Sequence, residues 1–210
     1  MAAQQNKNKI HSFFNNLPKN TRNKLCADNE ALYSITGHAQ AQLMSEYILQ
    51  LPGISKESTI SDLTACVGGN TINFAINFNQ VNAVEINKQR CDMLNHNICT
   101  VMKYKNVNII NADLIDVVAD LQQDVLFVDP PWGGSEYKQV EYMQLFINGI
   151  PLSKIVVDTL LPHAKYIIIK LPLNFDCAEF NIAVKPHAKL TYKAKNLAKM
   201  KIVIIEPFSP

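Results

Sequence analysis

Seven short β-prone runs, helix-length segments between the first five of them, and glycines placed directly after two strands predict an α/β domain with a mostly parallel sheet. The length fits this: 210 residues, 48% hydrophobic and 18% charged, can bury one core without disulfide staples. Disorder, a collagen-like fibre and a disulfide miniprotein are excluded. Five cysteines, Cys26, Cys66, Cys91, Cys99 and Cys177, are odd in number and contain no CxxC pair, so neither a disulfide framework nor a metal site is expected. No stretch nears the roughly 20 apolar residues that span a bilayer, and the opening MAAQQNKNK lacks the apolar region of a secretory signal. A soluble, intracellular chain is expected.

The elements follow in order. After a polar, asparagine-rich start, residues 40–51 place Leu43, Met44, Tyr47, Ile48 and Leu51 on one helical face, and Pro52-Gly53 ends it. Strands over 59–63, 81–85, 107–110 and 125–128 alternate with helices opening near Asn70, Asn87 and Asp113, residues suited to capping. Such alternation implies parallel strands joined by right-handed crossovers. A helix over 153–161 and a strand over 166–170 continue the pattern. The last two runs, 182–192 and 200–205, leave no room for a crossover helix and are expected to pair antiparallel at the sheet edge. No repeat or linker is visible, so the chain reads as an N-terminal helical extension, residues 1–50, closing on one domain over residues 51–210.

The net charge of +2 hides a segregated distribution: residues 1–27 sum to +5, residues 28–182 to −8 and residues 183–210 to +5. Basic ends suit an anionic ligand, while carboxylates in the middle select hydroxyl and amino groups. The plainer reading is that the lysines are solvated and raise solubility.

Four of the seven glycines fall in Val67-Gly68-Gly69-Asn70-Thr71 and Asp129-Pro130-Pro131-Trp132-Gly133-Gly134. Both segments follow a predicted strand, and ligands of open α/β sheets bind at the carboxyl ends of strands. Taken alone, Gly68-Gly69 is explained by a strand-to-helix turn, and it is not the GxGxxG of nucleotide dehydrogenases. Three carboxylates add to it. Glu85 ends the second strand, where an acid accepts both hydrogens of a ribose diol; Asp113 follows the third and can accept from an adenine amine; Asp62 lies in the first. Together they point to a nucleoside ligand.

Asp129-Pro130-Pro131-Trp132 resembles motif IV of methyltransferases that act on exocyclic amines of bases. A carboxylate and the Pro130 carbonyl both accept, so they hold a planar NH2 and turn its lone pair towards an electrophile. Proline restricts the backbone that aims the carbonyl, and the aromatic ring stacks on the base. An indole face attracts a cationic ring best, and N7-methylguanine is such a ring.

VGGNT followed by DPPWGG resembles the trimethylguanosine synthases, RNA cap guanine-N2 methyltransferases, over residues 30–176. The resemblance implies a Rossmann-like, class I fold that uses S-adenosylmethionine and no metal, with the helical extension closing over both ligands. It implies Asp129, Pro130 and Trp132 as the catalytic ledge. Asp62, Gly68, Asn70 and Thr71 are implied at the methionine part of the cofactor, Glu85 at its ribose and Asp113 at its adenine. Ser34 and Thr36, within a stretch similar to ExWFSVT, and Asp129 are implied at the cofactor as well. On the substrate side the resemblance implies Lys9 at the phosphates, Asn97 and Pro131 beside the guanine with Trp132, and Lys170 and Asn174 within a match to FLPRN.

Four departures stand out: Cys66 replaces the first glycine of the cofactor loop, Gly37 a proline, Asp129 a serine, and Leu173 a phosphate-gripping arginine. Lys170, Lys9 or the basic C-terminal stretch is expected to supply that missing charge. The implied reaction methylates N2 of a 7-methylguanosine cap, giving the 2,7-dimethyl and, with a second transfer, the 2,2,7-trimethyl base. Adenine-N6 or ribosomal guanine-N2 methylation is the rival chemistry, and a cap-binding protein with a decayed cofactor site the rival class. Capped RNA is the expected partner of a monomer. Abundant Asn, Ile and Lys suggest an AT-rich source, a protist or a large DNA virus; cellular members of the family work in the nucleus, and a viral one would act in host cytoplasm.

Overall fold

A computed structural model describes residues 2–208 of the chain. Seven strands form one mostly parallel sheet with an antiparallel edge, and the chain divides into two compact units, the first ending at Leu114 and the second starting at Ile115.

The first unit begins with four helices, α1 (Ala2–Phe13), α2 (Lys19–Arg22), α3 (Ala31–Ser34) and α4 (His38–Leu49). Then β1 (Thr59–Asp62), α5 (Thr71–Asn77), β2 (Gln80–Val84), α6 (Lys88–Asn95) and β3 (Val107–Ile110) alternate as expected. The strands run in the order β3-β2-β1, all parallel, with Thr59 opposite Gln80 and Val84 opposite Ile110. Asn87 caps α6 by accepting from the Arg90 amide at 3.0 Å. The helix runs on through a π-type stretch, His96–Val101.

In α4 the buried stripe is Ala41, Met44, Ser45 and Ile48, while Leu43, Tyr47 and Leu51 lie half-buried beside it. The stripe is therefore turned from the expected face, because the small Ala41 and Ser45 let α4 approach α5. The Ser45 hydroxyl donates to Asn73 Oδ1 at 2.9 Å. The extension does not stand apart. Ile10, Phe14, Leu25, Ala31, Leu32 and Ile35 share a hydrophobic cluster with Ala65, Val67, Ile72, Ala83, Leu94 and Ile98. Each large side chain buried there contributes about 1.5–3 kcal/mol relative to exposure.

After α7 (Leu114–Val117), the second unit contains β4 (Val125–Val128), a two-stranded hairpin of β5 (Phe146–Ile147) and β6 (Ile150–Pro151), α8 (Leu152–Ile155), β7 (Tyr166–Pro172), α9 (Cys177–Val184), β8 (Ala188–Lys193) and β9 (Met200–Pro207). The expected helix over 153–161 is split into α8 and a π-type stretch, Val156–Leu160. The strand order is β4-β7-β9-β8; β7 is parallel to β4, and β9 is antiparallel to both β7 and β8. Every residue of β7 is buried.

Two expectations need correction. The run over 182–192 is not one strand: its first residues belong to α9, and β8 starts only at Ala188. Asp176 caps α9 by accepting from the Ala178 amide at 2.9 Å, Phe180 and Val184 bury one face four residues apart, and Ile182 points outward, 79% exposed. The β-branched residues that suggested a strand are outweighed by the cap and by that spacing. The β5–β6 hairpin is an addition to the seven strands. Its turn, Asn148-Gly149 with φ of 51° and 77°, is a signal visible in the sequence.

Candidate active site

The first unit carries the glycine loop between β1 and α5. Asp62, fully buried, ends β1 and accepts from the Thr71 hydroxyl at 2.7 Å, tying the strand to the first residue of α5. Within the loop, the Gly68 amide donates to the Ala65 carbonyl at 2.9 Å, with Gly68 at φ 104°. A side chain at Gly69 would place Cβ 3.1 Å from both the backbone nitrogen and oxygen of Thr36, so this glycine lets the segment after α3 lie directly on the loop. Thr36 is accordingly buried, whereas Ser34 is exposed, its hydroxyl donating to the Glu30 and Ala31 carbonyls.

Cys66 takes the glycine's place at φ 50°, a conformation that costs a non-glycine residue about 1 kcal/mol or more. Its amide donates to Glu85 Oε2 at 2.9 Å, which anchors the strained residue. Burial, then the Glu85 charge, push the thiol from its ordinary 9.0 up to about 12, so it stays protonated and is no nucleophile.

Glu85 lies just beyond β2, is buried, and also accepts from the Asn87 amide at 2.8 Å. Two residues overlooked in the sequence hold this corner. Arg90 reaches Glu30 of the extension at 2.6 Å and approaches Glu85 at 3.6 Å. Burial opposes its charge, but the Glu30 hydrogen bond and the charges of Glu30 and Glu85 outweigh it and hold the guanidinium above its ordinary range. Asn111 donates to the carbonyls of Glu85 and Ile86. Nothing in local spacing marks either residue, since their partners lie on other segments. Asp113 is half-buried at the start of α7.

An S-adenosylmethionine molecule can be tested against these groups. Asn70, 6% exposed, has a buried Oδ1 with no hydrogen-bond partner among the described residues, an acceptor suited to an ammonium. With Glu85 for a diol and glycines that open the loop, the residues present fit the molecule. Among the described residues no group of three His, Cys, Asp or Glu side chains could hold a metal ion.

Asn97 differs from what the resemblance implies. It is fully buried in the π-type stretch, where its amide donates to the carbonyls of Cys26 and Val67, both at 2.9 Å, and its oxygen accepts from the Cys26 amide at 2.8 Å. Both N–H groups are spent on pinning the extension to the cofactor loop, and no donor is left for guanine.

In the second unit, Asp129 directly follows β4, Pro130 is buried, Pro131 is exposed and Trp132 is half-buried. Lys170 is the correction here. Expected at the cap phosphates, it is only 4% exposed in the middle of β7, and its Nζ donates to Asp129 Oδ2 at 2.6 Å. The parallel register pairs Val128 with Ile169, which places the next residues, Asp129 and Lys170, side by side. The same Nζ sits over the Trp132 ring, 5.1 Å from its centroid, and Tyr137 meets that ring edge-on at 5.2 Å. The indole Nε1 is buried with no hydrogen-bond partner among the described residues.

Gly133 and Gly134 adopt φ of 80° and 73°, and a Cβ at either would meet no protein atom within 4 Å, so the positive φ, and not protein packing, is what favours glycine there. Asn174 gives its amide hydrogens to the carbonyls of Tyr137 and Val140, at 2.8 and 2.6 Å, and so fixes the segment after Trp132. Leu173 is 54% exposed. In the first unit, Lys9 lies 4.4 Å from the centroid of the exposed Tyr33 ring.

A family model for RNA cap guanine-N2 methyltransferases matches residues 57–206. An uncharacterized protein of Acanthamoeba polyphaga mimivirus is 37% identical over 158 residues, 73% of this chain and 60% of that protein. The trimethylguanosine synthase of Schizosaccharomyces pombe is 29% identical over 162 residues, 72% of this chain and 64% of that protein. The aligned region thus spans less than two thirds of either relative. Among solved structures, a methyltransferase-fold protein from Porphyromonas gingivalis superimposes with a TM-score of 0.65 at 18% identity, over 95% of this chain and 54% of that one. One from Streptococcus mutans, in complex with S-adenosylhomocysteine, gives 0.55 at 14% identity, over 80% and 97%. The fold is that of the class I S-adenosylmethionine-dependent methyltransferases.

Proposed function

The chain belongs to the RNA cap guanine-N2 methyltransferase family, and on that premise we propose that it methylates N2 of a 7-methylguanosine RNA cap, once or twice, using S-adenosylmethionine. The observation that carries the reading is Trp132, half-buried and braced by Lys170 and Tyr137, directly after Asp129-Pro130-Pro131. A ring held this way offers a π face to a cationic base, next to two acceptors suited to an amine.

Glu85 would hold the cofactor's ribose, Asp113 its adenine, and Asn70 with the Gly68-Gly69 loop its methionine end. When bound, the cofactor supplies a methyl group already activated on a sulfonium. The chain's own task is positioning. Trp132 stacks on the base, Asp129 and the Pro130 carbonyl accept the two amine hydrogens, and the lone pair is turned outward. The amine nitrogen becomes acidic as it is methylated, and its proton passes to Asp129 or to water. Capped RNA is the macromolecular partner on this reading, and the protein acts as a monomer. No described helix is long and apolar enough to cross a membrane.

Mass spectrometry of cap dinucleotides with and without the N7 methyl, after incubation with the protein and S-adenosylmethionine, tests the reading. The N7-methylated cap should gain one or two methyl groups. Methylation of adenine, or equal methylation of both caps, would overturn it.

A further inference from the structure

The Lys170 ammonium is the unexpected group of the second unit. A lysine on a wholly buried strand must give up its hydration, and it does so only where a partner compensates. One carboxylate oxygen and the Trp132 ring, both beside the proposed amine ledge, contribute to that compensation. Side-chain exposures of 5% for Lys170 and 13% for Asp129 leave little water to screen either charge.

We infer that Lys170 is a specificity-determining positioning residue: it neutralises Asp129 and thereby sets how strongly the Trp132 platform prefers a cationic over a neutral purine. The inference rests on the base-stacking role proposed above for Trp132. Without the lysine, the Asp129 carboxylate would place a net negative charge beside the base and attract any cation. Paired at 2.6 Å, the two charges present a dipole, and the preference for a cationic ring falls back on the indole face. Lys170 also anchors Oδ2, so the carboxylate meets the amine in a fixed orientation.

The chain has a single tryptophan, so fluorescence excited selectively at tryptophan, beyond the absorption of the seven tyrosines, reports on this platform alone. The experiment titrates 7-methylguanosine diphosphate and guanosine diphosphate into the full chain at mildly acidic pH, where the methylated base keeps its N1 proton and its positive charge, and takes the ratio of their dissociation constants. Uncovering one unit charge about 8 Å from the cationic ring, at an effective dielectric near 20, changes that ratio roughly thirtyfold. Lys170→Met should raise the preference for the methylated nucleotide roughly thirtyfold. Asp129→Asn, which uncovers the lysine, should lower it by a similar factor. The Lys170→Met/Asp129→Asn double variant should return near the wild-type ratio.

Opposite shifts with restoration cannot arise from lost packing, which would weaken both nucleotides alike. An unchanged ratio in both single variants, shifts of the same sign, or no quenching of the wild-type protein by either nucleotide would overturn the inference. Failure of cap methylation with these ratio shifts intact would instead remove the proposed reaction and leave the role of Lys170 standing.

Discussion

Replacing Asn97 by alanine separates two roles for that residue, substrate contact and structural pin. The side chain is fully buried and makes three hydrogen bonds of 2.8–2.9 Å that join the segment at Cys26 to the loop at Val67. Deleting the amide leaves the Val67 carbonyl buried without that donor, at a cost of about 1–3 kcal/mol. The two Cys26 groups lie near the surface and can turn to water, losing about 1 kcal/mol each. Together the loss is about 3–5 kcal/mol, which at this chain length corresponds to a fall in Tm on the order of 10 °C. Urea denaturation followed by far-UV circular dichroism measures it, alongside activity per folded molecule well below the transition. The expectation is a large stability loss with most activity per folded molecule retained. An unshifted midpoint with activity abolished would refute the pin and return Asn97 to the substrate.

Gly69→Ala drives Cβ into the Thr36 backbone at 3.1 Å and should cost about 1–3 kcal/mol, with faster proteolysis near Thr36; Gly133→Ala meets nothing within 4 Å and should cost only the strain of its positive φ, about 1 kcal/mol. Trp132→Ala should cut kcat/KM for the methylated cap about a hundredfold, near the upper end of the ~1–3 kcal/mol of aromatic stacking, while calorimetry finds S-adenosylmethionine affinity unchanged. The Cys66 thiol, raised to about 12, keeps its proton in the folded state while the unfolded thiol loses it from about 9, so stability should fall as pH rises between those values. Comparing wild type with Cys66→Ser across that range checks the sign. Iodoacetamide should spare Cys66 and label the exposed Cys26 and Cys99, as peptide mass spectrometry would record.

Strand placement was legible because buried parallel strands are marked by compact β-branched runs: β3 and β4 fall within the expected bounds to the residue. The β8 region was not, since Ile182 and Val184 have the composition of a strand, and the Asp176 cap with the burial of Phe180 and Val184 four residues apart makes them helical. At the site, the glycines and Trp132 could be found because their chemistry is local. Arg90, Asn111 and the true partner of Lys170 could not, because each is defined by a residue on another segment, from 5 to 60 positions away. Asn97 is the instructive case: resemblance located the residue, and only its burial and three contacts revealed what the amide is doing.

The hydrophobic cluster that joins Ile10, Phe14, Leu25, Leu32 and Ile35 to Val67, Ile72, Leu94 and Ile98 also orders events during synthesis. The segments holding Ile10, Phe14, Leu25 and Leu32 leave the ribosome before the surfaces that cover their apolar sides, which are translated only some tens of codons later. Until Ile98 has emerged, those side chains have no permanent shelter, and the nascent chain passes through an interval in which chaperones and aggregation compete for it.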